Sequence, residues 1–262
     1  MMERVNYLAN INYIFGRYIR EYDIQKANIS VLYELGVLSK EKYDMLFNAD
    51  RMSRQVYIGK LIREDSSIGQ AIKTGIMNAK NIFFEKNNID SRDILSIKND
   101  AVFIIDKVPM NVSFGKIHFV LKNTYNTYIK LDKLQIYYGN NLEDEIVDVK
   151  GIKDIDLETY HMSFLSIIIE FIRNMNSFGP EKALDFINSV MDMYIRRELD
   201  IECYRCFRSD SGYSMPTNTM GYSIRTIPKD YNVDFNYNFT LLRQLYQYSI
   251  ECLRRKIEGQ PL

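Results

Sequence analysis

Asp93-Ile94-Leu95-Ser96-Ile97-Lys98-Asn99-Asp100-Ala101-Val102-Phe103-Ile104-Ile105 is the stretch in which the chain changes its period. Two β-rich runs flank Asn99-Asp100, a two-residue connection of the kind that closes a tight hairpin, so Asp100 is expected at its tip. Everything upstream to Ser39 is helical in spacing. Tyr43, Leu46 and Phe47, then Val56, Ile58, Leu61 and Ile62, then Ile72, Ile76, Ala79, Ile82 and Phe83 recur every three or four positions up to Asn87. Ahead of that segment, Asn10 to Tyr22 reads as a strand ending at the acidic Asp23, and Ala27 to Leu38 as a helix closed near Gly36. The unit is therefore strand, acid, helix, a long helical segment, and a hairpin tipped by a second acid.

Downstream the pattern stays β-rich, with runs at Lys116 to Leu121, Thr127 to Leu131, Leu134 to Tyr138 and Ile146 to Val149 between Asn, Asp and Gly turns. Helical spacing returns over Leu157 to Met175, from Pro180 to about Leu199, and over Phe239 to Ile257, with loops before the last helix. No Pro/Gly/Ser linker and no repeat divides the chain. The expectation is an α+β protein with an antiparallel sheet, and four parts: 1–38, 39–90, 91–150 and 151–262.

Composition narrows the chemistry. With 34 Lys+Arg against 34 Asp+Glu the net charge is zero, yet Arg51, Arg54, Lys60, Arg63, Lys73, Lys80 and Lys86 crowd one helical segment. A neutral total thus conceals a basic region suited to an anionic partner. Two His and three Cys in 262 residues leave little for zinc chemistry, and Cys203-Tyr204-Arg205-Cys206 has only Cys252 to join it, so a zinc site with four cysteines cannot be completed. Any metal must be held by carboxylates. The longest apolar run, Phe164 to Ile172, contains Glu170 and is too short to span a bilayer, and Arg4, Arg17 and Arg20 interrupt the start of the chain. A cytoplasmic protein with no membrane partner is expected. The Asn- and Ile-rich composition suits an AT-rich phage genome, which would place the protein in the host cytoplasm.

Asp23 and Asp100, brought together from a strand end and an adjacent hairpin, are the kind of hard oxygen ligands that suit two Mg²⁺ ions. Two shared ions need their Cα atoms within about 10 Å of each other. Tyr22-Asp23-Ile24-Gln25-Lys26-Ala27-Asn28-Ile29-Ser30-Val31-Leu32-Tyr33 resembles motif A of template-directed polymerases with a right-hand palm. Ser96 to Ile104, centred on Asp100, resembles motif C. The helix around Arg51-Met52-Ser53-Arg54-Gln55-Val56-Tyr57-Ile58-Gly59-Lys60 is similar in kind to the fingers helix of family A and B DNA polymerases. Family B usually has an aromatic and a proline after the first Asp, where this chain has Asn28 and Ile29; motif C often has a second acid, where it has Asn99 and Ala101.

The resemblance, over about residues 18–106, implies a palm-like sheet, a helical fingers insertion at 39–90, a thumb-like C-terminal region, and nucleotidyl transfer. It implies that Asp23 and Asp100 are catalytic and hold two Mg²⁺, that Arg54 and Lys60 bind the triphosphate with Arg51 and Arg63 nearby, and that Tyr57 packs near the incoming base or sugar. Asp106 is the candidate third acid. With only 22 residues ahead of Asp23, no editing domain is expected there. Nucleic acid and nucleoside triphosphates are the implied partners, and Tyr125, Tyr128, Tyr137, Tyr138 and the Tyr204 to Phe207 loop are candidates for stacking on unpaired bases. Two rival readings stand beside this one: a non-enzymatic phage accessory or inhibitor that binds nucleic acid or a host protein, and a Mg²⁺-dependent nuclease using the same acids.

Overall fold

The computed structural model describes residues 6–140, 144–208 and 235–259. It is a mixed α+β protein with an antiparallel sheet, and the chain divides into two compact units. The first holds residues 1–10 and 18–124, the second 11–17 and 125–262. The division falls inside the β-rich stretch rather than at 150, because the strands after 124 bury their side chains with the C-terminal helices.

In the first unit the strand order is β1 (Tyr7–Leu8), β3 (Ile94–Lys98), β4 (Ala101–Ile105), β2 (Tyr13–Ile24) and β6 (Ile117–Leu131), with β5 (Ser113–Phe114) paired to β6. The helices α1 (Ala27–Glu34), α2 (Lys40–Asn48), α3 (Arg51–Glu64) and α4 (Ser67–Lys86) occupy the segment between β2 and β3. Their boundaries follow from caps. Ser39 accepts from the Lys42 amide at 3.3 Å, and Asp50 from the Ser53 amide at 2.9 Å, each satisfying a donor the first helical turn cannot. One apolar cluster joins Tyr22, Ile24 and Val31 to Phe83, Ile97, Val102 and Ile104; Phe83 stacks on Phe119 at 4.1 Å between ring centres. A second, of Ile29, Leu32, Tyr43, Leu46, Ile58 and Ile72, holds the helices to one another.

Lys116 to Leu121 and Thr127 to Leu131, read as two strands, are one strand, β6. The polar residues between them look like a turn, but Lys122 and Asn123 hold the buried carboxylate of Glu21 at 3.3 and 2.9 Å, which keeps the backbone extended.

In the second unit the order is β2, β6, β7 (Leu134–Asn140), β8 (Glu145–Lys150), followed by α5 (Asp154–Tyr160), α6 (Met162–Phe178), α7 (Pro180–Arg196) and α8 (Phe235–Ile257). The helical run predicted over Leu157 to Met175 is broken at His161, whose φ of −124° leaves the helical region. Phe164, Ile168, Phe171, Ile187, Leu241 and Leu245 form the centre of this core. The tyrosines proposed as stacking platforms are not available. Tyr125, Tyr128, Tyr137 and Tyr138 are buried in the sheet, and Tyr204 and Phe207 in the helical core, because alternating Tyr on a two-sided sheet packs inward. The rest of the loops predicted before the last helix lie outside the described residues. Cys203 and Cys252 are buried, and burial pushes their thiols up to about 12 and about 11.

Candidate functional site

Backbone register places the two acids in one site of the first unit. Asp23 ends the paired part of β2 opposite Ala101, and Asp100 is the next residue, in the turn between β3 and β4. Ordinary strand spacing puts the two Cα atoms roughly 6 Å apart. Asn99 takes the left-handed conformation that the tight turn requires (φ +49°), which an asparagine tolerates, and its amide donates to the Asn6 side chain at 3.1 Å. Asp23 and Asp100 both line a cavity of about 490 Å³ that also receives Lys26, Arg51, Arg54 and Lys122.

Asp23 is the group under stress. Burial and then the negative charge of Asp100 raise its carboxyl to about 6, against the partial relief of Lys122. Its Oδ1 atom is buried without a hydrogen-bond partner. A buried carboxylate oxygen with no donor is costly, and beside a second acid it is chemically able to ligate a cation. The donor set suits a hard divalent ion. Among the described residues no group of three His, Cys, Asp or Glu gathers to hold a metal, so Mg²⁺ here would complete its shell with water and ligand oxygens, as it generally prefers.

The opposite wall is cationic. Lys26 caps α1 in a left-handed conformation (φ +50°), uncommon for a residue with a long side chain. Its ammonium sits 3.7 Å from the centre of the Phe47 ring and donates to the Phe47 carbonyl; burial and the neighbouring Arg54 charge push its pKa down. Lys26, Arg51 and Arg54 together give this cavity a positive lining.

Helix geometry sorts the remaining predicted residues. At about 100° per residue, positions 51, 54, 55 and 58 share one stripe of α3, whereas 57, 60 and 63 fall on the far side. Arg51, Arg54, Gln55 and Ile58 accordingly line the pocket. Tyr57 packs instead beneath the Lys42 ammonium, 4.5 Å from its ring centre; Lys60 is exposed; and Arg63 reaches back to the Gly59 carbonyl at 3.3 Å. Asp106 is also corrected: it lies at the opposite end of β4, exposed, where its carboxylate accepts from the Tyr18 amide at 3.0 Å. An extended strand carries it roughly 17–20 Å from Asp100. The acid near Asp23 is Glu21, two residues back on the same face of β2, 2% exposed and bound by Lys122 and Asn123. Period-two alternation could have found Glu21; no local signal marks Lys26 or Lys122.

Lys80 is a further residue the sequence conceals. It is 2% exposed, and its ammonium donates to the Asn99 carbonyl at 2.6 Å, holding the turn that carries Asp100. Burial pushes it down to about 8, while the charge of Asp100 pulls it back up. Replacing Lys80 by Met trades a charged hydrogen bond, worth about 1.5–3 kcal/mol, for relief from burying an ammonium, so global stability should change little. The turn should loosen. Hydrogen exchange over residues 94–105 is expected to accelerate at least about tenfold in Lys80→Met, and unchanged exchange would show that Lys80 does not hold the turn.

No helix among the described residues is long and apolar enough to cross a membrane. Comparison with curated proteins finds no match. The family model of the Bacteriophage PBS1 gene 130 protein matches residues 1–248, and the chain thus belongs to that phage protein family.

Proposed function

We propose that this phage protein is a Mg²⁺-dependent nucleotidyltransferase of the template-directed polymerase type, with its sheet acting as a palm. One observation carries the reading: Asp23 and Asp100 meet in a basic pocket where Asp23 keeps a buried oxygen unpartnered. Asp23 and Asp100 would hold the metal, which when bound supplies charge neutralisation for in-line displacement at phosphorus. Arg51, Arg54 and Lys26 bind and orient the polyphosphate. Lys122 ties Glu21 to the site's edge, and Lys80 fixes the Asp100 turn. A raised Asp23 pKa means that the free site holds a proton up to about pH 6 and releases it to bind a cation.

The test is incubation of the full chain with labelled primer–template and Mg²⁺ or Mn²⁺, with and without nucleoside triphosphates. Extension that needs both metal and nucleotides is expected. Shortened products without nucleotides would replace this reading with a nuclease, and binding with no new product would replace it with a non-enzymatic nucleic-acid binder.

A further inference from the structure

A second cavity of about 610 Å³ opens in the first unit beside the carboxylate pocket, with Asn28 and Ile58 lining both. Its character is different. Ile58 and Ile62 of α3 and Ile72 and Ile76 of α4 line it, with Lys73 and Ser66 among them, so the walls are largely aliphatic with one cation. Asn28, Gln70 and Asn99, each with an amide side chain, also line this space. Asn99 also adjoins Asp100 in the chain, so the apolar cleft begins where the metal-site turn ends.

The two cavities form an amphiphilic pair. One end offers carboxylates and guanidinium groups; the other offers flat aliphatic walls and amides that can both donate and accept. A ligand that fills both would carry a polyanion at one end and, at the other, a flat apolar ring whose polar edges suit the amides and the Lys73 ammonium. Aliphatic walls exclude water from a ring's faces, and amide side chains pair bidentately with the edges of nucleobases. The stripe of α3 that presents Arg51 and Arg54 continues through Ile58 to Ile62, about one helical turn at a time, so one straight element spans both ends.

We infer that this cleft seats the heteroaromatic base of a nucleotide whose phosphates lie against Arg51 and Arg54. The inference rests on the proposed function and deepens it: with no template strand bound, the protein itself contacts the base through Asn28, Gln70 and Asn99. Two substitutions fill the cleft without disturbing the core. Ile62 is about a third exposed, so Ile62→Glu places a charge at the cleft mouth. A side chain on Gly69 would meet Ile62 at an ordinary 3.7 Å, so Gly69→Leu enters the cleft without a backbone collision.

Calorimetric titration of the full-length protein with Mg²⁺–tripolyphosphate and with each Mg²⁺–nucleoside triphosphate separates the two ends. At least one nucleoside triphosphate should bind about tenfold or more tightly than tripolyphosphate. That increment should vanish in Ile62→Glu and in Gly69→Leu, with tripolyphosphate binding unchanged. An increment that survives both variants, or no increment in the parent protein, overturns the base-cleft assignment and leaves the metal and phosphate site standing. Tripolyphosphate that fails to bind, or binds Arg54→Ala as well as the parent, overturns the underlying functional reading.

Discussion

Asp23→Asn should make the protein more stable at pH 8 and, at the same time, abolish Mg²⁺-dependent extension. The two effects have one origin. In the unfolded chain Asp23 ionises near 3.8; in the folded protein burial and Asp100 raise it to about 6. The folded state therefore holds the proton over that interval, and stability falls as pH rises from about 4 to about 6, with the full cost present above 6. Roughly two pKa units correspond to a ceiling near 3 kcal/mol; Asp23 keeps some solvent contact, so about 1–3 kcal/mol is expected. An amide at this position has no charge to desolvate, and the gain should appear as a rise of several degrees in Tm at pH 8, by about 2–4 °C per kcal/mol, and none at pH 4. Mg²⁺ should stabilise the parent protein but not the variant. On the proposed function, activity should drop at least about 10³-fold, because Asp23 would be a ligand to the metal that meets the reacting phosphate. An Asp that served only to cap or turn the chain behaves oppositely: replacing it lowers stability and leaves activity alone. Loss of Tm at pH 8 together with retained extension would remove Asp23 from the site.

His161 governs the second large effect, with the opposite sign. Its ring is fully buried at the break between α5 and α6, edge-on to Phe207 with ring centres 5.5 Å apart. Burial, and then the Arg205 charge, push its pKa from 6.5 down to about 4, with Asp156 opposing. The unfolded chain takes up a proton near pH 6.5 that the folded protein refuses until about pH 4. Stability is therefore intact above about 6.5 and is lost as pH falls toward 4, to a ceiling of about 3 kcal/mol. Because Asp23 and His161 act in opposite directions over overlapping intervals, they partly offset each other in the parent protein. Their contributions emerge in difference profiles from denaturant unfolding between pH 4 and 8. Asp23→Asn should fall more steeply toward acid than the parent. His161→Gln should fall less steeply, by up to about 3 kcal/mol at pH 4 relative to its own value at pH 7. A His161→Gln profile parallel to the parent would show that the ring is not what resists protonation.

Much of the local architecture was legible because it depends on neighbours in the chain. The Asn99-Asp100 hairpin is specified by two residues between alternating runs, and the start of α2 by Ser39, whose side chain caps it; the Asp50 cap that separates α2 from α3 lies inside a stretch read as continuously helical. The β6 strand was read as two because Lys122-Asn123-Thr124 resembles a turn; its true partner, Glu21, lies about a hundred residues away in sequence and only the sheet brings it near. The α5–α6 break at His161 was missed for a related reason. The apolar spacing continues through it, and the departure is set by the packing of the ring against Phe207.

The site divides along the same line. Asp23 and Asp100 could be paired from sequence alone, since a strand-end acid and a hairpin-tip acid become neighbours whenever their two strands pair, as β2 and β4 do. The basic bias of α3 was equally visible, but a count of charges has no azimuth. Winding the helix put Arg51 and Arg54 over the acids and turned Tyr57, Lys60 and Arg63 away. Sequence by itself therefore determined most of the helical and strand segments and where the two carboxylates sit along them, because hydrogen-bonding period and turn chemistry are local. Tertiary structure alone decided which cations face those carboxylates, that Lys80 anchors their turn, and that Asp106 stands at the wrong end of β4. Those outcomes depend on strand order, helix rotation and burial, which arise only when distant segments exclude water together.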